Sequence, residues 1–403
     1  MTNTLAEHAR LFSSLDSLEG VPDWFEPRLA PKRVTGPQAR VHDALGWLGT
    51  MLPGIGLAFL LAWLGYQLSE VVGALLHYAP GKSPISPITL AVLLGLFLRN
   101  SVGVPTAYEP GLRLCIKTVL RLGIVILGLT LSVKAIGKDV IAGLPIVVVC
   151  IASALLLVTF INRALGLSKR LGTLIAVGTS ICGVSAIVAT APIIEAEEDE
   201  TSYAVACITV FGLVALFTYP FIAHAMFRTQ TQAGIFLGTA IHDTSQVAGA
   251  GLSYAQQYGA ESAFKTATTV KLVRNLCMSV LIPLMAIVYR RGSGSTTKVR
   301  QKWHQIIPLF VVAFVLMACV RSLGDLGGDH PLGFIPLDRW KNLDGAAKFY
   351  ATWCLATALG AVGLGTGLAK LRGLGWKPFS VGLVAALLVG VVSTVLIKLL
   401  VST

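Results

Sequence analysis

Thr239, His242, Asp243 and Gln246 follow one another at offsets of three, four and seven, the spacing of one helix face. Of the chain's acidic residues, Asp243 alone lies well inside an apolar stretch. A carboxylate in hydrocarbon is costly and marks a candidate functional site. It stands next to His242, whose imidazole ordinarily titrates near neutrality, so the pair has the chemistry of a proton-linked site. A structural polar contact between two helices would use the same atoms. Lys271, Arg274 and Asn275 follow at i, i+3 and i+4 in the next apolar stretch. Two cations on one membrane helix need a counter-charge or a water-filled cavity. Asp243 is one candidate partner, a substrate anion is another, and snorkelling to the interface is the third reading. Arg121 carries the same ambiguity.

A second constellation is Gly178-Thr-Ser-Ile-Cys-Gly-Val-Ser185, which overlays Gly238-Thr-Ala-Ile-His-Asp-Thr-Ser245. Gly, Thr, Ile and Ser recur at the same four offsets, and Ile187 then corresponds to Val247. Glycines and hydroxyls in mid-membrane weaken the helical ladder and allow a break whose free N–H and C=O groups face a ligand. Half-helix N-termini bind anions. The expected anion-binding set is therefore Gly178, Thr179, Ser180, Cys182, Gly183 and Ser185, joined by Lys271, Arg274 and Asn275. Gly178 and Gly183 would allow close backbone approach, and the hydroxyls would donate. Cys182 would be a chemical handle reached from an aqueous cavity. The ion-coupling set is Thr239, His242, Asp243 and Gln246. Gly363 and Gly367 read instead as a close-packing motif.

The elements that must position these residues are set by composition. The chain has 403 residues, 54% of them hydrophobic and only 13% charged, against roughly 25% charged in soluble domains. That excludes a water-soluble enzyme and a disordered chain, and the 41 glycines suit membrane helices. The net charge of +12 fits basic loops of a many-spanning protein. No basic run is interleaved with aromatics, so nucleic acid is not an expected partner. The seven cysteines form no CxxC pair, so neither a zinc site nor a disulfide framework is indicated. HExxH and GxSxG are absent, and Gly178-xxxx-Gly183 continues with Val-Ser, so it is not a phosphate loop. No cofactor or metal is expected.

Residues 1–43 are polar and Pro-containing and lack the apolar core of a signal peptide. They are expected to form a cytoplasmic tail with a short amphipathic helix near Leu5–Leu18. Residues 44–403 form the transmembrane domain. Eleven apolar segments follow, at about 45–67, 86–104, 112–134, 140–162, 171–194, 202–226, 233–254, 264–289, 305–322, 344–369 and 379–401. They are too long and too uniformly apolar for barrel strands, so the class is all-α and polytopic. With eleven crossings and the N-terminus inside, 20 basic residues fall inside and nine outside, supporting a cytoplasmic N-terminus. The acidic run Glu195–Glu200 falls outside on this count.

Gly178-Thr-Ser-Ile-Cys-Gly-Val-Ser-Ala-Ile followed by Ala-Thr-Ala-Pro-Ile-Ile, Ala240-Ile-His-Asp-Thr-Ser-Gln-Val-Ala-Gly-Ala and Lys271-Leu-Val-Arg-Asn resemble the signature of the YeiH-like family (UPF0324). These are bacterial inner-membrane proteins labelled as sulfate exporters. The resemblance covers roughly residues 45 to 403. It implies an architecture similar to the bile-acid/arsenite/riboflavin transporter superfamily, with two inverted five-helix repeats whose unwound helices cross near the membrane centre. One departure is that only one apolar segment separates the two Gly-rich breaks, where that plan places the crossing pair five helices apart. The expectation is about 10–11 transmembrane helices with inverted repeats, forming a secondary transporter for a small anion, sulfate or a sulfonate first. His242 and Asp243 would couple it to protons. The alternatives are sodium-coupled organic-anion transport, and a membrane-embedded enzyme using His242 and Asp243 as an acid/base pair, against which the lack of a nucleophile speaks. Lipid, the anion and a coupling proton or sodium ion are the expected partners.

Overall fold

Every regular element among the described residues is helical, as a chain solvated by lipid must be unless it closes a barrel. The computed structural model describes residues 37–78, 83–278, 280–281, 284–285, 309–326, 331, 336–367 and 376–401. The expected helix near Leu5–Leu18 lies outside them. The chain divides into two units, Met1–Gly49 and Thr50–Thr403. Of the first, residues 37–49 are described and are helical. The second holds everything that follows.

The helices are α1 (Pro37–Leu75), α2 (Pro87–Ser101), α3 (Glu109–Leu114), α4 (Leu120–Gly128), α5 (Val133–Ala164), α6 (Lys169–Ser180) and α7 (Val184–Thr190). They continue with α8 (Glu198–Met226), α9 (Gln230–Ala240), α10 (Thr244–Tyr258), α11 (Glu261–Leu276), α12 (Leu309–Leu326), α13 (Leu337–Gly365) and α14 (Trp376–Leu400). A π-helical turn, Cys115–Val119, joins α3 to α4. Each apolar segment of the sequence has a helical counterpart. Among the described residues, six helices are long and apolar enough to cross a membrane as one helix: Gly46–Leu75, α5, α8, α12, α13 and Phe379–Leu400. Polar residues start the helices where the pattern requires. Ser86, Ser132, Ser168 and Thr229 each accept a backbone N–H of the first turn of α2, α5, α6 and α9, satisfying donors with no helical partner. Glu197 and Glu200 form a reciprocal capping box on α8.

The fifth and seventh apolar segments do not run straight through. α6 ends at Ser180 and α7 begins at Val184, and the chain turns back between them. A Cβ on Gly178 would lie 2.8 Å from the Ile187 side chain, so the two arms pack on each other. Their far ends meet as well: Arg170 pairs with Glu197 at 3.8 Å, and the Ser168 hydroxyl donates to Glu200. α9 and α10 form a second hairpin. A Cβ on Gly234 would meet Ala263 and one on Gly238 would meet Ala267, so α9 runs parallel to α11. α10 runs the opposite way: Asn275 Nδ2 donates to Thr244 Oγ1 at 3.0 Å, while Gly251 faces Phe264 and Ala267. The outer ends of this hairpin converge too, with the His224 ring stacked on Tyr258, centroids 3.8 Å apart.

Helix α8 connects the hairpins, from the face where the first begins to the face where the second begins. The two hairpins therefore enter from opposite faces, and a single intervening span suffices to invert them. This accounts for the short separation noted in the sequence. It also corrects the sidedness of one loop. Glu197 and Glu200 stand on the same face as Ser168 and Arg170, not across from it as a straight fifth span would require.

A core cluster built on Ile146, Val177, Ala215, Phe236, Val247 and Val389 ties both hairpins to α5, α8 and α14. A second joins α2, α4, α12 and α13 to α8 and α10 through Val92, Ile124, Phe314, Leu216, Leu252 and Leu359. α13 lies against α2 at glycines: a Cβ on Gly363 would sit 2.4 Å from the Val92 carbonyl, and one on Gly95 would sit 2.8 Å from that of Gly360. The close-packing expectation thus holds at Gly363, whereas a Cβ on Gly367 would stand 3.9 Å from Arg99 Nε.

Candidate functional site

Breaking a helix leaves its last carbonyls and first N–H groups without intrahelical partners. Here two such breaks meet. The tip of the first hairpin is Ile181, Cys182 and Gly183, and that of the second is Ile241, His242 and Asp243. Gly183 has φ +69° and ψ −125°, a conformation that favours glycine. A Cβ there would stand 3.3 Å from Asp243 Cα, Cβ and Oδ2, so the lack of a side chain is what lets the tips touch.

Lys271 and Arg274 supply the missing donors. Both are 1% exposed, so neither snorkels. Lys271 Nζ donates to the carbonyls of Ile181 at 2.9 Å, Ile241 at 3.1 Å and His242, using all three ammonium protons. Arg274 Nε donates to Ser180 at 2.8 Å, Nη1 to Thr239 at 2.7 Å and Ile241 at 3.1 Å, and Nη2 to Thr179. The repeat seen in the sequence becomes physical here. The paired residues Thr179 and Thr239 offer carbonyls to the same guanidinium, and Ile181 and Ile241 offer theirs to the same ammonium. Among the described residues, no carboxylate lies within ion-pair distance of either cation.

The hydroxyls are largely committed to backbone. Thr179 donates to Ile175 and Ser180 to Ala176, and Thr239 bonds both Ile235 and Ser393, the last at 2.6 Å. Ser185 is exposed at the start of α7. Asp243 is half-buried and caps α10, accepting from the Ser245 N–H at 2.8 Å and the Ser245 hydroxyl at 2.5 Å. Thr239, His242, Asp243 and Gln246 do not share a helix face, because α9 ends at Ala240 and α10 begins at Thr244. The periodicity that grouped them stops at the break. Only His242 and Asp243 lie at the tip; the Thr239 side chain turns to Ser393 and that of Gln246 to Thr209. His242 is 1% exposed, and its Nδ1 is left without a partner. Gln246 Oε1 and Asn275 Oδ1 are also buried and unpartnered, whereas Gln246 Nε2 donates to Thr209 at 3.1 Å. The Gln246 amide is turned to Thr209 and Gly212 of α8, apart from the tip, and each orphaned atom calls for water or a ligand of its own.

Cys182 is 5% exposed, with Sγ 3.5 Å from Met278 Sδ, so the aqueous exposure expected of it is absent in this conformation. Arg121 is exposed and lies 5.5 Å from the Phe310 ring centre, outside the site. Thr244, Ser393 and Met278 were not singled out in the sequence. Thr244 stood inside the quoted motif and could have been found by its place after the break; Ser393 and Met278 come from distant segments with no local signal. Away from the tips, a cavity of about 270 Å³ opens between α1, α2 and α10, lined by Tyr66, Ser69, Glu70, Ser86, Gln256 and Gln257.

A family model described as "Conserved hypothetical protein 698" matches residues 53–382. The chain is 30% identical over 364 residues to a UPF0324 membrane protein of Bartonella henselae, covering 89% of this chain and 96% of the relative. It is 32% identical over 359 residues to one of Agrobacterium fabrum, covering 88% and 95%. It is also 32% identical over 350 residues to the UPF0324 inner membrane protein YeiH of Escherichia coli, covering 84% and 92%.

Proposed function

The chain belongs to the UPF0324 membrane-protein family, and on that footing we propose that it is a secondary transporter of a small oxyanion, sulfate or a sulfonate first. The observation that carries the reading is the pair of buried cations at the hairpin tips with no carboxylate, among the described residues, in ion-pair contact. Each hairpin brings both a helix C-terminus, worth about half a negative charge, and a helix N-terminus, worth about half a positive one. These roughly cancel. Lys271 and Arg274 then stand against Asp243 alone, leaving the tips about one positive charge in excess. In hydrocarbon an unbalanced charge attracts a counter-ion strongly.

The two cations act on the anion through their field, because their donors are already held by tip carbonyls. Direct contact falls to the hydroxyl protons of Ser185 and Thr244 and to the second amide proton of Asn275 Nδ2, whereas the unpartnered Asn275 Oδ1, an acceptor, calls for water. His242 and Asp243 form the proton-linked element. The site is taken to lie in the bacterial inner membrane, where the E. coli relative is named, with the N-terminus cytoplasmic. Re-siding the hairpins moves only Arg228 among the counted loop residues, so 19 basic residues still stand against 10.

Counterflow of radiolabelled sulfate in proteoliposomes tests the reading. Saturable exchange with sulfate or a sulfonate is expected, together with loss of net pH-driven flux but retention of exchange in Asp243→Asn. Unaltered pH-driven flux in that variant sinks the coupling assignment, and no counterflow with either class of anion sinks the transport assignment.

A further inference from the structure

The three oxygens around the Lys271 ammonium all come from half-helix C-terminal ends or the turns just beyond them: Ile181 from the first hairpin, Ile241 and His242 from the second. Carbonyls exposed at helix breaks are the groups with which broken-helix transporters coordinate sodium, and helix C-termini favour any cation. The same oxygens are filled here by a side chain of the protein itself. The ammonium is fully buried, makes no ion pair among the described residues, and has no proton left over for a ligand. Arg274, one turn along α11, closes the remaining carbonyls of Thr179, Ser180 and Thr239. The two tips are thus pinned to one helix by two covalently attached cations.

We propose that the Lys271 ammonium is a built-in substitute for a bound monovalent metal cation. It fills a carbonyl cage that would otherwise need sodium, so the tips seat without any ion drawn from solution. The cage stands on the geometry alone; the transporter reading is needed only for the consequence, which is that sodium is not the coupling ion. Removing the side chain beyond Cβ would leave three inward-facing carbonyls and a space the size of the lost propylammonium, which is a sodium site. Filling that space with an apolar chain would not.

The test is thermal unfolding of the full-length protein in detergent, in sodium chloride against choline chloride at equal ionic strength. Wild type should unfold at the same Tm in both. Lys271→Ala should be less stable in choline and recover saturably in sodium by about 2–4 °C. Lys271→Met, which keeps the volume and loses the charge, should be destabilised equally in both salts. A saturable sodium shift in wild type would overturn the proposal, because the cage would then not be self-sufficient. A folded Lys271→Ala indifferent to sodium would overturn it, and so would a Lys271→Ala that cannot be obtained folded even when sodium is present throughout. Sulfate counterflow is a separate measurement: its absence alongside the expected melting results would sink the transporter reading and leave the cage standing.

Discussion

Gly183→Ala probes the contact on which the site depends. At φ +69° and ψ −125° an L-residue is strained by about 1–3 kcal/mol. The new methyl would stand 3.3 Å from three atoms of Asp243, tight enough that the second tip must yield by a few tenths of an ångström. The backbone strain belongs to the turn and stays, but the contact cost, about 1–3 kcal/mol for overpacking, vanishes if the tips part, so the substitution favours separated tips over seated ones. At 1.4 kcal/mol per factor of ten, the open population rises by about 5- to 150-fold. Cys182 reports that opening, since it is buried when the tips are seated. With the other cysteines replaced by alanine, its alkylation rate under native conditions should rise by the same factor. Gly259→Ala is the control. It carries comparable backbone strain at φ +64° but has open space around it and lies at the outer end of the hairpin, so Cys182 should react as in wild type. Equal Cys182 rates in Gly183→Ala and wild type would refute the claim that the tips are held by that glycine contact.

Arg170→Cys combined with Glu197→Cys should cross-link readily and be labelled from one side of sealed vesicles. A straight helix would put these positions about 40 Å apart, whereas their side chains meet at 3.8 Å, and labelling from opposite sides would rule the hairpin out. Arg274→Lys should cost about 1–3 kcal/mol in stability for each carbonyl of Thr179, Ser180 or Thr239 it can no longer reach. An unchanged Tm would mean the guanidinium does not bridge the tips. Gly95→Ala should destabilise by about 1–3 kcal/mol, because its Cβ would meet the Gly360 carbonyl at 2.8 Å and the Leu364 N–H nitrogen at 2.9 Å. Denaturation without loss would mean α2 and α13 separate at small cost.

Much of the architecture was legible because its causes are local. Hydrophobic runs report their solvent whatever they later pack against, so the apolar segments could be found, although their ends miss those of the helices, by eight residues at either end of Pro37–Leu75 against 45–67. Gly178–Ser185 and Gly238–Ser245 weaken a helix through their own backbone chemistry, and both are broken within those limits. The spacing of Lys271, Arg274 and Asn275 held because α11 is unbroken through all three. The grouping of Thr239 with Gln246 failed for the matching reason: a helical period carries no meaning across a break.

What no local pattern could decide is which way the chain goes after a break. A segment such as 171–194 is long enough to cross a bilayer, and its composition reads the same whether it crosses or returns. The choice depends on whether other groups satisfy the carbonyls a buried tip exposes. Those groups are Lys271 and Arg274, some 90 residues further along the chain from the first tip. Sequence alone offered the cations to a substrate, to Asp243 or to the interface. Only the tertiary structure gave them to backbone oxygens, because only folding brings two helix ends, each carrying partial negative charge, to one point on α11.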